Sequence, residues 1–125
     1  MTRDSDDGAA RAAGPAMADA SHTYEVASRV VVGDSPTLRV RILTLEPGQC
    51  VPWHWHNNIT DTFFCMEGPM QVETRAPRAT HVLRPGEMCA AGPKVAHYVS
   101  GVDGGPCRFL IVQGVGEYDY VPVGG

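Results

Sequence analysis

The chain has 125 residues, enough for one domain with a hydrophobic core and too few for two. Its formal net charge is −4 and Lys94 is its only lysine. This argues against a nucleic-acid partner, because affinity for a phosphate backbone depends largely on clustered Lys and Arg. The 14 glycines and 10 prolines favour short strands and many turns.

The N-terminal segment is rich in alanine and aspartate and contains Gly8, Gly14 and Pro15. Such a segment buries little apolar surface, so residues 1–21 are predicted to form a flexible tail. It lacks the continuous apolar run of a signal peptide, which makes the cytoplasm the expected location. A separate hypothesis is that translation starts at Met17, ahead of the motif-bearing region.

Runs of β-branched and apolar residues predict strands at 24–32 and 38–45, separated by turn residues at 33–36. No stretch shows helical periodicity, and no apolar run reaches the length of a membrane span. The spacing of runs and turns suits an antiparallel barrel or sandwich. Further strands are predicted at 61–66, 70–74, 80–83, 88–90, 96–100 and 108–112.

The run at 38–45 has two chemically different faces, because apolar residues alternate with Arg39 and Arg41. A charged strand face is usually solvated, and this is the expected arrangement here. The alternative is that the face lines the barrel, where the two arginines could contact an anionic substrate.

The strongest chemical signal is the pair His54 and His56 within Pro52–His56. A strand places residues i and i+2 on one face, so the two imidazoles can point together. Asp61 follows five positions later, after a turn, and could return to the same place. A carboxylate joined to imidazoles suits a divalent transition metal, whereas the alternative is a pair of structural histidines.

These residues resemble the first motif of the cupin superfamily, G-x5-H-x-H-x(3,4)-E-x6-G. Gly48, His54, His56, position 61 and Gly68 fall in register with it. The departure is Asp61 in the glutamate position, since its side chain is one methylene shorter.

The second cupin motif, G-x5-P-x-G-x2-H-x3-N, is matched more loosely. Gly86 and His97 have the proper separation, but Pro93 is displaced by one position and Gly101 replaces the final Asn. The resemblance implies a jelly-roll, or double-stranded β-helix, barrel over residues 22–125. It also implies one divalent metal bound by His54, His56, Asp61 and His97.

The metal identity stays open among Fe, Mn, Ni, Co and Zn, because such ligands suit all of them. The resemblance favours a metal-dependent enzyme acting on a small oxygen-bearing organic molecule, by dioxygenase, isomerase or decarboxylase chemistry. No general acid or base stands out, which keeps a non-catalytic small-ligand binding or sensory barrel as the alternative. A third interpretation treats the metal as a structural staple.

Several other residues carry weaker expectations. Phe63 is a candidate pocket wall or core residue, and Gln113 is a candidate for reaching the cavity. Trp53 and Trp55 are candidates for lining the cavity mouth or for packing beneath a partner subunit. The residues expected to take no part in the site are Tyr98, which faces away from it, and the surface histidines His22 and His81.

The four cysteines lack C-x-x-C spacing and lie in or beside apolar runs, so they are expected to be reduced, buried thiols.

The first strand bears on assembly. Cupins that this chain resembles are often homodimers, and the strand predicted at 24–32 is a plausible interface because exposed strand edges invite pairing.

Overall fold

The computed structural model describes residues 24–124. The predicted tail at 1–21, Met17 and His22 therefore lie outside the described residues. The described part contains ten strands, which are β1 (Ser28–Asp34), β2 (Leu38–Leu45), β3 (Cys50–Trp55), β4 (Thr60–Glu67), β5 (Met70–Thr74), β6 (Ala79–Leu83), β7 (Met88–Ala91), β8 (His97–Gly101), β9 (Cys107–Gly114) and β10 (Val121–Pro122).

The strands form two five-stranded antiparallel sheets, one with the order β1-β2-β9-β4-β7 and the other with the order β10-β3-β8-β5-β6. From β2 onward the chain passes repeatedly from one sheet to the other, as in a jelly-roll barrel. The predicted all-β jelly-roll class is confirmed. The two sheets face each other, and the side chains of the candidate site lie between them.

The strand boundaries follow the sequence closely in the middle of the chain. The strands predicted at 38–45 and 70–74 begin and end at the same residues as the observed strands β2 and β5. The first strand begins at Ser28 rather than at residue 24, and β10 was not predicted. Strand β10 has only two residues, too few to produce a recognisable alternation.

The core fills the space between the sheets with inward-facing apolar side chains. Along β4, Phe63 and Cys65 point inward with Asp61, as the alternation predicts, whereas Met66 is exposed. The Phe63 and Phe109 rings meet edge to face with their centroids 5.8 Å apart. Other core residues whose side chains are fully buried include Leu43, Leu45, Met70, Val72 and Val99.

The expectation that the arginine face of β2 is solvated was wrong. Arg39 is 1% exposed and Arg41 is 4% exposed, while Leu38, between the turn and Arg39, is 38% exposed. The alternation along β2 is the predicted one, but its polar face points into the barrel. Inward placement is possible because Gln113 on the neighbouring strand accepts hydrogen bonds from both guanidinium groups.

The four cysteines are free thiols. Cys65 and Cys107 are buried as expected, whereas Cys50 and Cys89 are only half-buried. Burial raises the pKa of Cys107 to about 12 and that of Cys89 to about 11, so both stay protonated near neutral pH. Within residues 24–124, no helix is long and apolar enough to cross a membrane.

Truncation of the enclosed phenylalanine tests the packing between the sheets. Phe109→Ala is expected to lower the free energy of unfolding by about 3–5 kcal/mol, because it removes apolar contacts and leaves a cavity. Chemical denaturation followed by fluorescence measures the change. Met66→Ala is the control, since Met66 is 41% exposed and its loss is expected to cost less than about 0.5 kcal/mol. Equal effects of the two substitutions would contradict this description of the core.

Candidate metal centre

The two sheets bring four residues of the sequence motifs to one place. His54 in β3 and His97 in β8 are register partners on neighbouring strands of one sheet. Asp61 lies in β4 of the opposite sheet, and His56 follows directly after the end of β3. All four side chains are buried. The centre therefore lies inside the barrel, between the sheets.

The side chains meet at one carboxylate oxygen. Asp61 Oδ2 is 2.9 Å from His97 Nε2, 3.0 Å from His56 Nε2 and 3.8 Å from His54 Nε2. One donor atom from each of the four residues lies within 4.8 Å of all the others. The shorter carboxylate of aspartate, in the position where the motif has glutamate, thus reaches all three imidazoles.

Backbone carbonyls hold the other nitrogen of each imidazole. His54 Nδ1 lies 2.8 Å from the carbonyl of Pro52, and His97 Nδ1 lies 2.8 Å from that of Val95. His56 Nδ1 makes a short contact with the carbonyl of Asp119. A carbonyl only accepts hydrogen bonds, so each Nδ1 carries a proton, and an imidazole that is held in this way has its Nε2 lone pair directed at the centre whenever Nε2 is unprotonated.

This donor set fits a divalent transition metal. Three Nε2 atoms and one carboxylate oxygen converge in a buried space, and unprotonated acceptors that face one another repel unless a proton or a cation lies between them. Imidazole nitrogen and carboxylate oxygen are ligands that such metals prefer. The carbonyls behind the three histidines are the outer hydrogen bonds that orient metal-binding imidazoles.

The electrostatic surroundings affect the pKa values of His54, His56 and Asp61 differently. Burial lowers the pKa of His54, which favours the neutral imidazole. Burial opposes charge on His56 too, but the hydrogen bond and the negative charge of Asp61 outweigh it and raise the pKa of His56. Burial opposes the charge of Asp61, but the nearby histidine Nε2 atoms, two of which lie within hydrogen-bond distance and donate to Oδ2 when they carry a proton, hold the pKa of Asp61 well below its usual range. Asp61 is therefore a carboxylate at neutral pH.

A row of polar side chains supports Asp61 from the side opposite the histidines. In the sheet register Arg39, Gln113 and Asp61 lie side by side on β2, β9 and β4. The Gln113 amide donates to Asp61 Oδ1 at 3.1 Å, and its Oε1 accepts from Arg39 and Arg41 at 3.1 to 3.3 Å. Gln113 thus reaches the cavity, as the sequence suggested, and leaves Oδ2 of Asp61 directed at the imidazoles.

The segment after β9 contributes residues that the sequence analysis missed. The Tyr120 ring stacks on His54 with centroids 4.5 Å apart and planes 13° apart. The Tyr118 ring lies 5.2 Å from the His56 ring, and the Arg39 guanidinium lies over it at 4.6 Å. The signal that could have found them is the alternation of tyrosines around Asp119, because alternate residues of an extended segment share a face.

A narrow cavity adjoins the four residues and touches His54 and Asp61. Its other walls are provided by Arg41, Gln113, apolar core side chains including Phe63, and the Tyr24 and Tyr118 rings. The enclosed space is about 10 Å³, which accommodates roughly one water-sized group. Phe63 is thus both a core residue and a pocket wall.

The remaining candidates lie away from this cavity. Neither Trp53 nor Trp55 is among the described residues that line it. The Trp53 ring instead contacts the ring of Tyr98 at 5.6 Å and the guanidinium of Arg75 at 4.1 Å. His81 is exposed, as expected.

Comparison with known proteins decides the family. The family model described as "Cupin domain" matches residues 41–113, more than half of the chain and all four residues of the centre. The chain belongs to the cupin family. A search of curated proteins gave no significant match to this cupin.

Solved structures show the same fold. A conserved protein with a double-stranded β-helix domain from Klebsiella pneumoniae matches with a TM-score of 0.66 at 22% identity, over 78% of this chain and 84% of that one. A cupin-2 domain protein from Shewanella frigidimarina matches with a TM-score of 0.57 at 23% identity, over 72% and 82%. A variant of the oxalate decarboxylase of Bacillus subtilis matches with a TM-score of 0.67 at 22% identity. The match covers 80% of this cupin but only 29% of the decarboxylase chain.

Metal affinity is expected to fall as the pH is lowered through about 6.5, the usual pKa of histidine. The reason is that protons compete with the metal for the imidazole nitrogens, and Asp61 strengthens proton binding at His56. Metal affinity is expected to fall about tenfold or more for each pH unit below 6.5. Titration of Zn²⁺ in competition with a chromophoric chelator, repeated at several pH values, measures this affinity. A constant affinity would exclude imidazole ligation, and His81→Ala, at an exposed histidine, should reproduce the wild-type profile.

Proposed function

We propose that this cupin is a metal-dependent enzyme acting on a small oxygen-bearing organic molecule, with His54, His56, Asp61 and His97 as the metal ligands. The observation that carries the proposal is the convergence of three Nε2 lone pairs and the Asp61 carboxylate beside a cavity that touches two of those residues. A structural metal site is normally closed, whereas a catalytic one keeps access for another ligand. The adjoining cavity therefore favours a catalytic role over a staple.

A divalent metal held there would supply Lewis acidity or an oxygen-binding position. The chain's own residues would fix and enclose the reacting molecule. Gln113 keeps Asp61 directed at the histidines, and the Tyr118 ring forms part of the wall near His56. Burial raises the pKa of Tyr118, so its phenol stays protonated and is available to donate a hydrogen bond to a bound oxygen. Tyr118 is the group in the cavity best suited to that role.

The reaction class stays open among dioxygenase, isomerase and decarboxylase chemistry. Structures similar in fold include oxalate decarboxylases and an oxalate oxidase, at 18 to 24% identity. Identity at that level supports a shared fold and does not assign oxalate to this chain. Oxalate belongs in a substrate screen as one acid among several.

Metal analysis of His54→Ala and His97→Ala tests the ligand set. Wild-type protein, purified without chelators or metal-binding tags, is expected to contain close to one transition metal per chain, and both variants are expected to lose it. Each substitution removes one nitrogen from the donor group. Elemental analysis by plasma mass spectrometry gives the stoichiometry. His81→Ala removes an exposed histidine outside the donor group and should retain the metal.

The same preparations distinguish the three hypotheses for the site, which are an enzyme, a binding or sensory barrel and a structural metal site. Turnover of a small oxygen-bearing molecule that depends on metal supports the enzyme. Saturable binding that returns the molecule unchanged supports a binding or sensory barrel. A wild-type protein that holds no metal and fails reconstitution would refute the metal-dependent proposal. Metal removal that lowers the unfolding temperature without affecting ligand binding would support the staple.

We further propose that the protein is a cytoplasmic homodimer. Strand β1 pairs with β2 on one side only among the described strands, so its other edge is available for a second chain. Size-exclusion chromatography with light scattering is expected to give twice the chain mass of 13.4 kDa. A monomer at working concentration would refute the dimer.

A further inference from the structure

The outer face of the β1-β2-β9-β4-β7 sheet is apolar from one edge to the other. In β2, β4 and β9 its residues alternate with buried ones, so their side chains point away from the barrel interior. Register partners on β1 and β7 share that face. Each strand contributes one member to a continuous apolar row, which consists of Val30, Ile42, Leu110, Phe64 and Met88.

The apolar row is accessible in the described chain. Met88 is 52% exposed, and the other four members are half-buried. The next row along the strands is uncharged and includes Val40 and Val112, which are register partners. Charge enters on the opposite side of the apolar row, where Arg108 and Glu67 are 3.6 Å apart. The face is thus a wide apolar patch with one polar end.

The outer face of the other sheet has the opposite character. Its register partners include Glu73 with Tyr98 and Gln71 with Ser100. Outward polar side chains are the usual pattern for an antiparallel sheet that faces water. The apolar row departs from this pattern across all five strands, and a large exposed apolar patch marks an interaction surface.

The size and polarity of the face fit a second copy of the same chain. Strands spaced about 4.8 Å apart give a width of about 24 Å, and residues 38–44 give a length of about 20 Å, so two such faces would cover roughly 1,000 Å². That area reaches the lower range of specific interfaces. A lipid surface fits less well, because such binding uses free basic side chains around the patch, whereas Arg108 is close to Glu67.

We propose that a second copy of the chain covers this face, so that two β1-β2-β9-β4-β7 sheets pack against each other across the apolar row. A two-fold axis brings the same patch of both copies together, which places apolar side chains opposite apolar side chains. Face-to-face packing of sheets is a common arrangement in β proteins. The inference rests on the proposed homodimer for its second chain, but it places the contact on the sheet face instead of the β1 edge.

An acidic side chain at the centre of the face tests the proposal. Leu110 lies on β9, the middle strand of the sheet. Leu110→Glu is expected to weaken the dimer about 30-fold or more, because it places an unpaired charge in the middle of the interface. Light scattering across a range of protein concentrations measures the dissociation constant. Val82→Glu makes the same kind of change on the other sheet, at a side chain 46% exposed, and should retain the dimer.

A second variant separates the face from the edge. Met88 is 52% exposed and lies on β7, at the opposite end of the sheet from β1. Met88→Glu is therefore expected to fold even if Leu110→Glu does not, which circular dichroism checks, and to weaken a face-to-face dimer about tenfold. Pairing through the β1 edge would be insensitive to it. A wild-type dimer that resists Met88→Glu would overturn the face proposal and leave the homodimer standing, whereas a wild-type monomer would overturn both.

Photo-cross-linking identifies what covers the face. A benzoylphenylalanine in place of Phe64 in the full chain is expected to give a product of twice the 13.4 kDa chain mass, joined to peptides from β4, β7 or β9 of the second copy. A cross-link within one chain to residues 1–23 would instead assign the face to that segment and overturn the proposal.

Discussion

The structure depends on a cluster of polar side chains that is buried between the two sheets. Three imidazole lone pairs and a carboxylate meet within a few ångströms inside the barrel. In an apolar interior such groups repel one another and lose their hydration, so the arrangement is costly unless a cation or protons occupy the middle. The rest of the site serves to maintain this convergence. Carbonyls of Pro52, Val95 and Asp119 fix the imidazoles, and Gln113 fixes the carboxylate.

Both sheets contribute side chains to the centre. One sheet contributes two histidines on neighbouring strands, and the other contributes Asp61 together with the Gln113 and arginine row. A change in the separation of the sheets would move the carboxylate away from the imidazoles. Close packing of core residues such as Phe63 and Phe109 therefore determines the geometry of the centre as well as the stability of the fold.

Much of the candidate site could be predicted from the sequence, because the positions of its residues depend on local spacing. The period of two within His54-Trp55-His56 places both imidazoles on one side, and the cupin motifs join Asp61 and His97 to them. The alternation along β2 was also readable, but alternation does not say which face points inward. The inward-facing Arg39 and Arg41 are hydrogen-bonded to Gln113, which lies more than 70 residues away along the chain and gives no local signal. The contacts of Tyr118 and Tyr120 depend likewise on the return of the last segment across the barrel, and the two-residue strand β10 leaves little periodic signal for it.

The family match ends at Gln113 and begins at Arg41. All four proposed ligands fall within it, whereas Tyr24, Arg39, Tyr118 and Tyr120 fall outside. The shared region thus contains the four residues of the candidate metal centre, and the flanking segments contribute aromatic side chains that lie against the cavity and the histidines. Two cupins that align well over this region can therefore share the four residues of the centre and differ in the side chains around the cavity. The ends of the chain, which a domain alignment omits, are the part to compare when cupins of this kind are sorted by what they bind.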